Sequence, residues 1–178
     1  MLDKMIKRPY DIESYDPQWV SKFNDIKKVV AKIFGKNAIA IEHVGSTSIP
    51  GMKAKPIIDV LIIVEKMQPF QKERDEMAAL GYENGDDYIA PDTIIFFKTD
   101  GDRKTENIHV CVKDSPKAIQ FLNTRDYVRT HPERAKAYSE LKEKLKQSFP
   151  DDYPAYRSGK QAFIDETERL TIEWKRGK

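Results

Sequence analysis

Cysteine is nearly absent from this chain: Cys111 is the one thiol in 178 residues. A single thiol makes no intramolecular disulfide, and with three histidines no Cys/His spacing resembles a zinc site. Long apolar runs are missing too, none approaching the ~20 residues of a membrane span, so no membrane partner is expected. The opening MLDKMIKRPYDIE has no apolar core of the kind a secretion signal needs, which points to a cytoplasmic location. Charge of one sign is also lacking: 31 Lys and Arg face 29 Asp and Glu, for a net charge of +2. That balance creates no dominant field and gives no argument for a nucleic-acid partner. Neither internal repeats nor low-complexity linkers interrupt the chain, and its length fits one domain spanning 1–178 with a proper core.

What is present concentrates between Ile41 and Val64, in IEHVGSTSIPGMKAKPIIDVLIIV. This reads as strand 38–44, a polar loop, and strand 57–64. The second strand is apolar on both faces, as an interior strand covered by helices would be. One carboxylate, Asp59, interrupts it. Buried alone it is too costly, so it must be solvated, paired or bound to a cation. The loop supplies the hydroxyls of Ser46, Thr47 and Ser48 and the glycines Gly45 and Gly51. Glycine lets backbone N–H groups approach an anion closely, so a phosphorylated ligand is the natural expectation.

Around this block the pattern is α+β. Asp16-Pro17 is a cap and first-turn pair, followed by Trp19, Phe23, Ile26, Val30 and Ile33 at helical spacing until Gly35. A helix over about 68–80 ends at Gly81. Thr93 to Lys98 and Asn107 to Val112 read as antiparallel strands joined through a turn at Asp100-Gly101. Ser115-Pro116 opens a last third of three helices, about 116–130, 132–147 and 154–174. The Glu- and Lys-rich run 139–146 reads as a solvated face.

Several side chains are candidates for chemistry. Asp59 is either a metal or ligand contact or a structural carboxylate pinning the loop. Two-metal transfer wants two carboxylates two residues apart on such a strand, holding cations roughly 4 Å apart; here the second position is Leu61. Glu42 either provides the missing carboxylate or pairs with Lys55 or an arginine. His43 either orients the loop or touches ligand. His109 shares a strand face with Asn107 and Cys111, and as a neighbour of Asp59 it would serve as metal ligand, phosphate donor or general acid/base. Cys111 reads as a small buried residue. Arg125 and Arg129 lie one helical turn apart and suit a bidentate phosphate clamp, with ion pairing as the alternative. Tyr156 and Lys160 are spaced for helix packing or for stacking and phosphate contact.

With those residues in view, the chain resembles the GrpB family, whose fold places it in the nucleotidyltransferase superfamily. The resemblance runs nearly full length: Tyr15-Asp16-Pro17-Gln18-Trp19, the block from Ile41 to Gly51, Ala54 to Asp59, Leu80-Gly81-Tyr82, Asn107 to Val110, Arg125 to Arg129 with His131-Pro132, and Tyr138, Leu141-Lys142, Tyr156, Lys160 and Phe163. Thr124 stands where the family usually has phenylalanine. The resemblance implies a polymerase-β-type mixed sheet flanked by helices. It implies that Gly45-Ser46 is the phosphate-holding Gly-Ser element and that Asp59 is the first aspartate of a magnesium-binding Asp-x-Asp. Leu61 departs from that pattern. The implied activity is magnesium-dependent transfer of a nucleotidyl group from a nucleoside triphosphate to an unknown acceptor. Asp59, Glu42 and His109 are then the catalytic candidates, and Gly45, Ser46, Thr47, Ser48, Lys55, Arg125 and Arg129 the substrate-binding ones. The alternative is a catalytically degenerate binder of nucleotides or phosphometabolites with a regulatory or partner role, linked to coenzyme A metabolism.

Overall fold

A computed structural model describes residues 10–85 and 93–177; the signal-peptide reading rests mainly on residues 1–9, outside that range. Helix α1 (Gln18–Phe34) starts where the Asp16 carboxylate accepts the Gln18 N–H at 2.9 Å, and it stops at Gly35, whose positive φ of 49° turns the chain out. Trp19, Phe23, Val30 and Ile33 form its buried stripe, with Ile26 partly buried beside them. Strands β1 (Ala38–Val44) and β2 (Ile58–Val64) pair antiparallel across the polar loop. After α2 (Gln71–Ala79) come a two-residue strand β3 (Glu83–Asn84), then β4 (Ile94–Asp100) and β5 (Arg103–Val112), joined by a turn in which Gly101 has φ 59°.

The sheet order is β1-β2-β5-β4-β3, and β2 and β5 run parallel while all other pairs are antiparallel. β2 sits inside the sheet with both faces covered, which is why it tolerates so few polar residues. On one side Ile58, Val60, Ile62 and Val64 pack with Trp19, Phe23, Val30 and Phe34 from α1. On the other, Leu61 and Ile63 pack with Val44, Cys111 and Ala118 under α3 (Pro116–Thr130). Ser115 caps α3 by accepting the Ala118 N–H, with Pro116 in the first turn.

The last third is helical, but its described residues form four helices rather than three. After α3 and α4 (Pro132–Ser148), the expected 154–174 helix breaks into α5 (Tyr153–Gly159) and α6 (Gln161–Arg176). At the break Gly159 packs so tightly on α4 that a Cβ there would lie 2.4 Å from Leu145 Cδ2. A third apolar cluster, of Ile49, Met52, Tyr127, Val128 and Ala135, fastens the polar loop to these helices. The loop is thereby held between the sheet and the helical third.

Candidate functional site

The Gly-Ser bend and the lone acid meet. Gly45 leaves β1 with φ 72° and ψ −176°, a conformation that suits glycine, and a Cβ built on it would lie 2.4 Å from Asp59 Oδ2. The Asp59 side chain is 25% exposed. Its Oδ1 accepts from Asn107 Nδ2 at 2.7 Å and lies 3.5 Å from His109 Nε2. Sheet register explains both contacts, because Asp59 pairs with Asn107 and Leu61 with His109 across the parallel ladder. Burial pushes the Asp59 pKa up, but the hydrogen bond and charge of His109, the Asn107 amide and Lys55 outweigh it, so the carboxyl stays below its usual range. His109 is buried, its ring 4.6 Å from that of Phe121, and it holds the carboxylate rather than reaching open space.

The three loop hydroxyls separate in role. Thr47 Oγ1 lies 3.1 Å from His43 Nε2 and donates to the Ile57 carbonyl at 3.1 Å. Ser48 Oγ donates to the Gly45 carbonyl at 2.7 Å. Ser46 alone of the three lines both of the cavities that flank the bend. His43 orients the loop: its ring stacks on Phe23 at 4.7 Å, and burial, together with Arg129 and Arg125 and against the pull of Asp59, lowers its pKa to about 4.

The arginine pair holds protein groups. Arg125 Nη1 donates to Glu42 Oε2 at 2.7 Å and to the His43 carbonyl at 3.2 Å, while its Nε donates to Asp126. Arg129 donates twice to the Ser48 carbonyl, at 3.1 and 2.8 Å. Both therefore brace the loop from α3. Glu42 lies directly across from Leu61 in the ladder, next to the place where a second aspartate would stand, but its carboxylate is turned to Arg125. Leu61 itself is fully buried, sealed by Ala118, Phe121 and Leu122.

The cations at the bend come from elsewhere. A cavity of about 240 Å³ beside Asp59 is lined by Ser46, Thr47, Lys55, Asn107, Tyr138, Lys142, Tyr156 and Lys160. Lys142 contradicts the solvated reading of 139–146: it is 3% exposed, its Nζ donates to the Lys53 carbonyl, and it lies 4.6 Å from the Tyr138 ring centre. Ser139, Lys142 and Glu143 share the helix face that grips Lys53, whose N–H reaches Ser139 Oγ at 3.0 Å and whose Nζ reaches Glu143 at 2.6 Å. A lysine one turn after Tyr138 on the apolar stripe was the available sequence signal. Burial, then repulsion from Lys160 and Lys55, lowers the Lys142 pKa to about 7. Burial and then Lys55 lower that of Lys160 to about 8. Lys55 Nζ donates to the Tyr153 hydroxyl at 2.7 Å. The hydroxyl of fully buried Tyr156, Asn107 Oδ1 and His109 Nδ1 have no hydrogen-bond partner among the described residues.

These donors do not fit a two-magnesium centre. Among the described residues no three His, Cys, Asp or Glu side chains cluster as ligands, and the second strand position is an apolar core residue. The arrangement instead offers three ammonium groups, a free-facing serine and an unpartnered tyrosine to an anion, with one carboxylate at the margin.

The chain and its fold have counterparts among known proteins. UPF0157 protein YqkA of Bacillus subtilis is 37% identical over 173 residues, covering 97% of this chain, and the chain spans 50% of YqkA's own length. A crystal structure of conserved protein GrpB from Enterococcus faecalis superimposes with TM-score 0.86 at 32% identity, covering 92% of this chain and 98% of that one. Cid1 poly(U) polymerase, in its MgGTP-bound crystal structure, matches at TM-score 0.50 and 11% identity over 76% of this chain and 44% of that one, a likeness of fold alone. The fold is thus polymerase-β-like. The GrpB protein family model matches residues 9–169, and the chain belongs to the GrpB family.

Proposed function

We propose that this protein binds a phosphorylated small molecule, a nucleotide or phosphometabolite, in the cleft between the Gly45-Ser46 bend and Lys55, Lys142 and Lys160. The single observation that carries this is the cavity lined by the three lysines. Burial first, and then Lys55 acting on both and Lys160 acting on Lys142, lower the proton affinity of Lys142 and Lys160, and Asp59 is the one carboxylate among the described residues of the cavity wall. An anion there relieves the repulsion and gives the Tyr156 hydroxyl a partner. Lys142 and Lys160 bear on the phosphate, Ser46 and Tyr156 orient it, and Asn107 with His109 keeps Asp59 turned and ionised at the rim. Binding in this reading serves a regulatory or partner role. The apolar seal over Leu61 argues against two-metal chemistry, and no step is assigned to magnesium.

Thermal unfolding against inorganic phosphate, pyrophosphate, nucleotides and coenzyme A precursors, each with and without magnesium, tests it. A ligand at 100-fold over its Kd stabilises by about 2.7 kcal/mol, a shift of several degrees. Lys142→Met with Lys160→Met is expected to abolish that shift. No stabilisation by any phosphorylated compound removes the proposal.

Nucleotidyl transfer is the second reading, and the observation favouring it is Asp59, kept ionised against the Gly45 turn. Release of pyrophosphate by the wild type, lost in Asp59→Asn with binding intact, would establish it. Saturable binding without release leaves the first reading standing.

A further inference from the structure

A second cavity, of about 220 Å³, opens on the other side of the Gly45-Ser46 bend and shares Gly45, Ser46 and Tyr138 with the lysine-lined one. Its walls are mostly hydrocarbon: Ile49, Met52, Phe121, Val128, Phe163 and Ile164. We infer that the two cavities form one cleft for a two-part ligand, a soluble phosphate ester whose phosphate sits among Lys55, Lys142 and Lys160 and whose apolar arm fills the second cavity. This deepens the phosphate-binding reading and rests on it.

The chemistry of the arm follows from the polar groups around the second cavity beyond the bend, several of which are already occupied. Arg125 donates to Glu42, Asp126 and the His43 carbonyl. Gln120 donates to Glu168 and accepts from Lys117. Thr167 Oγ1 donates to the Phe163 carbonyl at 2.6 Å and accepts from Arg134. A nucleobase brings several donors and acceptors that lose water on entry, and these walls return few hydrogen bonds for them. An aliphatic chain has no such demand and gains from the same walls. Contiguity selects for both parts at once: the bend that faces the phosphate is also the doorway to the apolar side. The two ends of the cleft are unlike in charge, so orientation of the ligand is set as well.

The test is a titration series by calorimetry on the full chain with inorganic phosphate, propyl phosphate, hexyl phosphate, hexanol and ATP. Affinity is expected to rise about fourfold for each methylene added to the phosphate ester until the cavity is full, with hexanol alone binding far more weakly than hexyl phosphate. Partly exposed Ile164, replaced by Trp, should fill the cavity and erase the chain-length gain while leaving inorganic phosphate binding unchanged. A flat series in the wild type, with phosphate and ATP still binding, overturns the two-part cleft and leaves the phosphate site standing. Failure of every phosphate compound to bind overturns both. The ester is taken up as a dispersed molecule, so no co-sedimentation with phosphatidic-acid vesicles is expected; capture by vesicles exceeding binding of hexyl phosphate would overturn the proposal in favour of a membrane surface.

Discussion

Gly45→Ala is expected to destabilise the protein by on the order of 3 kcal/mol or more, seen as a lowered denaturant midpoint with an unchanged slope. Two effects add. The backbone at Gly45, with φ 72° and ψ −176°, lies in a region nearly reserved for glycine. The new methyl would also meet Asp59 Oδ2 at 2.4 Å and both Cβ and Cγ of Asp59 at 3.0 Å, on a strand that is locked between two neighbours. Neither side can yield cheaply, because the carboxylate is held by Asn107 and the loop by Arg129. Gly51→Ala is the internal control. Gly51 also has positive φ, 77°, but nothing lies within 4 Å of its Cβ position, so only backbone strain of about 1 kcal/mol is expected there. Equal losses at the two glycines would mean that the bend does not press on the acid.

The contrast between those glycines shows what was legible beforehand. A turn-forming Gly-Ser loop between two apolar runs, with one carboxylate in the second run, leaves few arrangements, and the strand, loop and strand follow from the apolar runs and their length. The five-stranded order was less accessible, because β3 has two residues and no pattern of its own. Partner choice among charges was the least legible. Arg125 and Arg129 share a helix face whether they clamp a phosphate or a protein carbonyl, and only the packing of α3 over the loop assigns them to Glu42, His43 and Ser48. Lys142 sits in a run whose composition is that of a solvent face. Its burial depends on Gly159 letting α5 approach Leu145, and on Lys53 presenting a carbonyl from far away in sequence. Beyond the spacing of Lys142 one turn after Tyr138, such contacts leave no local periodicity to read. The helix break after Gly159, which puts Lys160 at a junction rather than mid-helix, is hidden for the same reason.

Lys142→Met is expected to stabilise the ligand-free protein at pH 7 by on the order of 2 kcal/mol while removing phosphate binding. Methionine keeps the length of the lysine stem against Tyr138 and discards the amine that burial and its neighbours disfavour. The pH dependence distinguishes this from simple repacking. In the folded protein Lys142 titrates at about 7 and Lys160 at about 8, whereas both titrate near 10.5 when unfolded. Over the intervening range the unfolded chain binds more protons, so wild-type stability rises with pH from about 7 towards 9.5, below the range where tyrosines ionise. The cost is fully present below the folded values and fades as pH climbs from them towards the unfolded value near 10.5. Lys142→Met should flatten the lower part of that rise and leave the contribution of Lys160. Phosphate acts in the opposite sense on the wild type: an anion among the amines raises their proton affinity, so binding near pH 8 takes up protons. Calorimetry in buffers of different ionisation heat reads that uptake directly. A Lys142→Met variant that loses stability at pH 7, or that binds phosphate with unchanged proton uptake, would show that Lys142 serves only to clamp the Lys53 carbonyl and that the anion, if any, sits elsewhere.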